Sequence, residues 1–195
     1  MGTSATGTTR ASVTDLLAIA EDRRHHELID GEIVEKASPT WDHSEAQSSL
    51  LVQLKGPFQR KSDGGPGGWW IGCEIDVQLA VDQVYRPDVL GWRRDRVPEP
   101  PRGCPTSVLP DWVCEVLSPT NAASDTVRKL RSYHRSGVPH YWLADPATRT
   151  LVVYRWQPEG YLLVLSAVAP ERVHAEPFAV VELSVAALFG EEDDT

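Results

Sequence analysis

Hydrophobic residues recur along this chain at two periods, and the points where the period changes mark its elements. Over residues 13–22, Val13, Leu16, Leu17 and Ala20 fall at helical spacing, with Ser12 or Thr14 placed to cap the first turn. The run HHELIDGEIVE then splits around Asp30-Gly31, a dipeptide that supplies the positive φ angles of a tight hairpin. Past Ser38-Pro39, the residues Ala46, Leu50, Leu51, Leu54 and Phe58 restore intervals of three and four, which predicts a second helix over 42–60 ending at or soon after Gly56-Pro57. A Gly/Pro loop covers 62–68. The middle turns β-rich, and WWIGCEIDVQLAV (69–81), YRPDVLGWR (85–93) and PDWVCEVLSP (110–119) each read as a strand bounded by turn residues. Between the last two, the prolines and charges of 93–110 make a surface connection. Asp125 is placed to cap a helix over 126–136, which Gly137 and Pro139 end. HYWLAD and TLVVYRW follow as strands, GYLLVLSAV and FAVVEL as a further pair, and a short VAALF turn precedes an acidic tail at 191–195. No repeat and no long linker interrupts this order, which predicts one α/β domain over 13–190 built on a mixed sheet.

Composition narrows the class. The chain has 195 residues, of which 41% are hydrophobic and 24% charged, enough for one packed core and unlike a disordered chain. No apolar run approaches the roughly 20 residues that cross a bilayer. Residues 1–12 carry no apolar stretch of the signal-peptide kind, so they read as a frayed terminus and the expected location is the cytoplasm. Three scattered cysteines without a C-x-x-C pair suit neither a disulfide framework nor zinc. A net charge of −9 opposes broad polyanion binding, so any contact with nucleic acid needs a local basic face.

Two carboxylates stand out against apolar surroundings. WVCEVL is apolar on both faces except for Glu115, and an uncompensated buried charge costs several kcal/mol. Asp88 follows Pro87 in a second apolar strand, where the proline favours an extended start or an edge position. Carboxylates on neighbouring strands make a hard-oxygen site of the kind Mg²⁺ accepts, water and a substrate phosphate completing it; the bland alternative is a salt bridge to a core Arg or Lys. At 100° per residue, Arg128, Arg131 and Arg135 share one face of the following helix, and Val127, Leu130 and His134 the opposite one. The arginines are either a solvated surface or the basic face a phosphate backbone would need. Lys129 lies on the border, one turn before Tyr133.

Taken in order, HELIDGEIVE, Ser38-Pro39, His43, Pro87-Asp88-Val89, EVLSPT at 115–120, the D..RK...Y pattern ending at Tyr133, and GVPHYWLADP at 137–146 resemble the Uma-type endonuclease family. That family is grouped with the restriction-endonuclease-like, or PD-(D/E)XK, nucleases, and the resemblance runs from Thr14 to Phe189. It implies an α-β-β-β-α-β core with a mixed sheet, an N-terminal helix and β-hairpin, and additional C-terminal strands. It also implies a Mg²⁺-dependent DNA endonuclease, with Mn²⁺ as a substitute, that hydrolyses phosphodiester bonds. Asp88 and Glu115 would hold the metal, with the backbone carbonyl of Val116 as an extra ligand. The superfamily's lysine stands two residues after the glutamate, where this chain has Leu117, and Lys129 resembles a migrated replacement. Glu32 and His43 are further site candidates, against an exposed hairpin glutamate and a helix cap. Arg128, Arg131 and Arg135 would contact DNA, and a homodimer would suit cutting two strands. Gln53, Glu45 and Asp76 are weaker cleft candidates, while Tyr141, Trp142 and Asp145 read mainly as packing. Two other classes compete: a nuclease fold that binds DNA or regulates without cutting, and a dimeric interaction protein whose carboxylates only satisfy its core.

Overall fold

The computed structural model describes residues 10–20, 25–61, 64–118 and 122–191, and in the last stretch the side chains from 126 onward. Helix α1 (Val13–Leu17) is fixed by a capping box: Ser12 Oγ accepts from the Asp15 amide, and the Asp15 carboxylate accepts from the Ser12 amide at 2.8 Å. It is shorter than the sequence period predicts because Leu16 alone reaches the core, and a single turn lasts only as far as packing supports it. Strands β1 (His26–Ile29) and β2 (Glu32–Glu35) pair with Ile29 opposite Glu32, so Asp30 (φ 50°) and Gly31 (φ 78°) form the two-residue turn that Asp-Gly predicts.

Helix α2 (Trp41–Leu54) is capped by Thr40 and buries His43, Ala46, Leu50 and Leu54. It does not stop at Gly56-Pro57. Pro57 has no N–H to donate, and the chain widens into a π-helical turn over Lys55–Arg60 that keeps Phe58 in the core before Lys61 turns left-handed at φ 59°.

Six strands form the main sheet: β3 (Trp69–Cys73), β6 (Val89–Arg93), β7 (Trp112–Val116), β8 (His140–Asp145), β9 (Thr150–Gln157) and β10 (Gly160–Val168), in the order β10-β9-β8-β7-β6-β3. All neighbours are antiparallel except β7 and β8, whose parallel pairing requires a crossover, supplied by α3 (Ala122–Ser136). The order α2-β3-β6-β7-α3-β8 is therefore the expected α-β-β-β-α-β core, with β4 (Val77–Ala80) and β5 (Gln83–Tyr85) inserted into it. These two join the hairpin in a second sheet, β2-β1-β5-β4. Strands β11 (Arg172–Val173) and β12 (Leu183–Ser184) and the short helix α4 (Val185–Leu188) follow.

Several expectations change. WWIGCEIDVQLAV is two strands in two sheets, broken where Glu74 takes φ 53°. YRPDVLGWR likewise divides between β5 and β6, which puts Asp88 immediately before β6, at a strand start as Pro87 favours, and that strand is interior to the sheet and not at its edge. Helix α3 begins at Ala122, so Asp125 lies in its first turn and is not its cap. Its core-facing side is Lys129, Ser132 and Tyr133, while Val127, assigned by the helical wheel to the apolar face, is 47% exposed. Only Leu183 of FAVVEL is strand. Phe178 from that segment instead plugs the core, its ring 4.7–5.7 Å from those of Phe58, Trp69, Trp112 and Trp142. Residues 1–9 and 192–195 of the expected termini lie outside the described residues.

Alternation along β7 separates two environments. Trp112, Cys114 and Val116 face the aromatic layer built with Phe178 and α2, whereas Val113 faces the layer that contains Tyr133 and Tyr141, and Glu115 shares that side. Gly91 on β6 makes room for the tryptophans, since a Cβ there would sit 3.2 Å from Trp69 and 3.4 Å from Trp112.

Candidate active site

Strands β6 and β7 run antiparallel with Val89 opposite Cys114, so one step further Asp88 falls opposite Glu115, on the same side of the sheet as Leu90 and Val113. Both carboxylates border one cleft of about 50 Å³, together with Lys36, His43, Val116, Lys129 and Tyr141. Asp88 is 1% exposed and Glu115 5%.

Each carboxylate oxygen has a donor. Asp88 Oδ2 accepts from the Val116 amide at 2.7 Å and lies 3.3 Å from His43 Nε2, and Oδ1 accepts from Lys36 Nζ at 2.8 Å. Glu115 Oε1 accepts from the Tyr133 hydroxyl at 2.6 Å and Oε2 from Lys129 Nζ at 3.0 Å. Lys129 also lies 3.3 Å from Glu27, whose carboxylate accepts from the Arg86 amide. Lys36 donates further to both oxygens of Glu74 and to the Arg86 carbonyl, all at 2.9 Å. Gln47 from α2 ties this edge together, donating to Glu74 and to the Asp88 carbonyl.

The charges do not cancel. Among the described residues four carboxyl groups, Glu27, Glu74, Asp88 and Glu115, meet two ammonium groups, Lys36 and Lys129, with the His43 imidazole beside Asp88. The two central carboxyls respond in opposite directions. Burial opposes the charge on Asp88, but the His43 hydrogen bond and the Lys36 and Lys129 charges outweigh it and hold its carboxyl well below the usual range. Burial pushes Glu115 up to about 8, with Asp88 and Glu27 adding to Lys129's failure to compensate fully. Lys36 loses hydration, yet Asp88, Glu115 and Glu74 raise it above the ordinary lysine value.

The structure thus gathers Asp88, Glu115, Lys129 and His43, and Val116 lines their cleft. It places Glu32 outside this cluster, exposed and 3.6 Å from Arg128; the hairpin acid that joins the cluster, through Lys129, is Glu27. Glu27 was legible in principle, because alternation puts it on the face of buried Ile29. Lys36, just past β2, carries no such signal, and Glu74 emerges only from the break between two strands. Gln53 binds the Ser184 backbone, Glu45 accepts from Ser49, and Asp76 pairs with Arg86 outside the cleft. Trp142 packs in the aromatic layer and Asp145 caps a turn, but Tyr141 reaches the cleft. Arg128, Arg131 and Arg135 are exposed together as the wheel predicts, with Arg135 3.8 Å from Asp30.

Among the described residues no group of three or more His, Cys, Asp or Glu side chains is arranged to hold a metal unaided, and no helix is long and apolar enough to cross a membrane. Two carboxylates nevertheless suit Mg²⁺, which keeps several waters. Asp88 Oδ2 meets two donors, Val116 N and His43 Nε2, whereas Asp88 Oδ1 and both Glu115 oxygens meet one each in the hydrogen bonds given above and have a lone pair to spare. Two residues that line the cleft, His43 and Tyr141, each have a buried polar atom, Nδ1 and Oη, without a hydrogen-bond partner among the described residues. The donor set therefore fits a hydrated cation.

No protein with a curated description matches the chain. Among solved structures, a putative nuclease belonging to DUF820 from Anabaena variabilis ATCC 29413 superposes with a TM-score of 0.73 at 24% identity, covering 91% of this chain and 97% of that one. That likeness shows the restriction-endonuclease-like fold. The sequence profile described as "Uma2: Putative restriction endonuclease" matches residues 13–187, nearly the whole of the sheet and cleft just described, and the chain belongs to that family.

Proposed function

We propose that this nuclease-family chain is a divalent-metal-dependent DNA endonuclease whose catalytic residues are Asp88, Glu115 and Lys129. The observation that carries the reading is the unbalanced cluster itself: four carboxylates against two ammoniums, two of the carboxylates opposite each other at the open end of neighbouring strands. Two ammonium groups cannot compensate four ionised carboxylates, so Glu115 keeps its proton to about 8 in the folded chain, and a divalent cation beside it is what would let it ionise. Asp88, Glu115 and the Val116 carbonyl would hold Mg²⁺, or Mn²⁺ in its place. When bound, such an ion polarises a phosphoryl oxygen and acidifies a water.

The chain's own groups do the rest. Lys129 is held between Glu27 and Glu115, so its ammonium is preorganised to stabilise negative charge developing on the phosphoryl group. Tyr133 fixes Glu115 from the other oxygen. His43 acts through Asp88, which its Nε2 holds at 3.3 Å. Arg128, Arg131 and Arg135 on the outer face of α3 would meet the DNA backbone, in competition with Glu32 and Asp30. One centre per chain cuts one strand, so a homodimer in the cytoplasm is part of this reading.

The test is plasmid cleavage with Mg²⁺, Mn²⁺ and Ca²⁺ beside calorimetric metal titration. Expected are metal binding and Mg²⁺-dependent nicking, both lost in Asp88→Asn. Metal-independent DNA binding without nicking would replace this reading with the silent DNA-binding module, and neither metal nor DNA binding would leave the interaction protein.

A further inference from the structure

Lys36 is placed as a cation would be. Its Nζ lies 2.8 Å from Asp88 Oδ1 and 2.9 Å from each of Glu74 Oε1, Glu74 Oε2 and the Arg86 carbonyl oxygen. An ammonium has three protons, so four oxygens at nearly equal distance exceed what it can satisfy with one hydrogen each. The shell contains oxygen only, includes a carboxylate presenting both atoms and a backbone carbonyl, and is the ligand set of a hard divalent ion. To hold Ca²⁺ the oxygens would draw in by only about 0.2–0.6 Å. The cage also shares Asp88 with the proposed metal site, as two-ion centres share a bridging carboxylate.

We propose that the oxygen cage of Asp88, Glu74 and Arg86 is a divalent-cation site that this chain fills with the tethered ammonium of Lys36, so that the cleft takes one divalent ion fewer than its oxygens would accept. The proposal deepens the metal reading above by assigning the second cation position to a side chain. A covalently attached cation cannot dissociate, and it holds Asp88 Oδ1 at 2.8 Å while the divalent ion exchanges. Its reach is set by β2, which delivers Lys36 to the cleft directly after Glu35.

Ion counting tests this without any reaction. Mn²⁺ and Ca²⁺ are titrated separately into the full chain, without DNA, by calorimetry, and bound Mn²⁺ is counted by loss of its free-ion paramagnetic signal. Lys36→Ala should bind one more ion per chain than the unaltered protein, Lys36→Arg should bind the same number, and Glu74→Gln added to Lys36→Ala should abolish the gain. In the unaltered protein Glu74→Gln should leave the count unchanged, because Lys36 still fills the cage. An unchanged count in folded Lys36→Ala would overturn the proposal, as would a gained ion that survives Glu74→Gln. Should Lys36→Ala not fold, the unaltered protein still decides: two ions bound per chain, or an ion lost on Glu74→Gln alone, contradicts a cage already filled by lysine. The difference between variant and parent tests Lys36, while the parent's own count of one or none tests the metal reading.

Discussion

The two faces of β7 are chemical opposites made by alternate residues of one five-residue strand. On one side Trp112, Cys114 and Val116 enter an aromatic layer with Trp142 and Phe178 in which close ring packing does all the work. On the other, Glu115 enters a layer whose tyrosines surround ionisable groups with one or two donors each. The first face gains by removing apolar area from water and loses little if one aromatic residue is replaced by another of equal volume. The second buries charge at a cost, which only specific partners offset, so its residues are not interchangeable. A strand that spends one face on packing can carry a strained electrostatic cluster on the other.

Breaking each face should therefore produce different losses. Asp88→Asn keeps the volume and most hydrogen bonds but removes a charge from the cluster, and cleavage should fall by about 10³-fold or more with the fold retained. Single-turnover plasmid cleavage measures this, and activity within tenfold of the parent would detach the polar face from catalysis. Phe178→Ala is the counterpart across the sheet. It should cost roughly 3–5 kcal/mol in denaturant unfolding, because four aromatic neighbours cannot collapse into the gap. Cleavage per folded molecule should stay unchanged, and a catalytic defect at full folding would show that the faces are coupled.

Lys129→Ala sharpens the contrast within the polar face. Metal binding should persist, since its ligands are oxygens, while the cleavage rate drops by about 10²-fold. Unchanged turnover at saturating metal would remove Lys129 from the chemistry and leave it a structural counter-charge for Glu27 and Glu115.

The smallest expected effect is in the pH dependence of stability without divalent ions. Glu115 holds its proton to about 8 in the folded chain against 4.5 unfolded, so its contribution is complete below 4.5 and is lost as pH rises through about 8. Asp88, depressed below 3.8, has the opposite sign: its contribution is present above 3.8 and is lost as pH falls further into acid. Melting temperature should thus decline between about pH 4.5 and about pH 8 in the parent, and Glu115→Gln should flatten that limb. Parallel declines in both proteins would place the titration elsewhere.

How much of this was legible before folding depends on whether the signal is local. Asp30-Gly31 determined a two-residue hairpin because the turn needs two left-handed residues in succession and the dipeptide favours them. Alternation in WVCEVL isolated Glu115, the helical wheel grouped the three arginines, and the border position of Lys129 placed it between surface and core. All of these are statements about which side of its own element a residue faces. The sequence period could not say which groups meet there. Lys36 and Asp88 are 52 residues apart, Gln47 and the Asp88 carbonyl 41, and Glu27 and the Arg86 amide 59. Their contacts depend on inter-strand register and on the break at Glu74 that sends β3 and β4 to different sheets. Phe178 was misread for the same reason, since its local pattern is that of a strand and only the gap between four aromatic rings gave it a better place. Local sequence determined most of the elements and the polarity of most faces; tertiary structure decided where strands break and which groups become partners, because pairing energy is set by distances between segments that no period within one segment encodes.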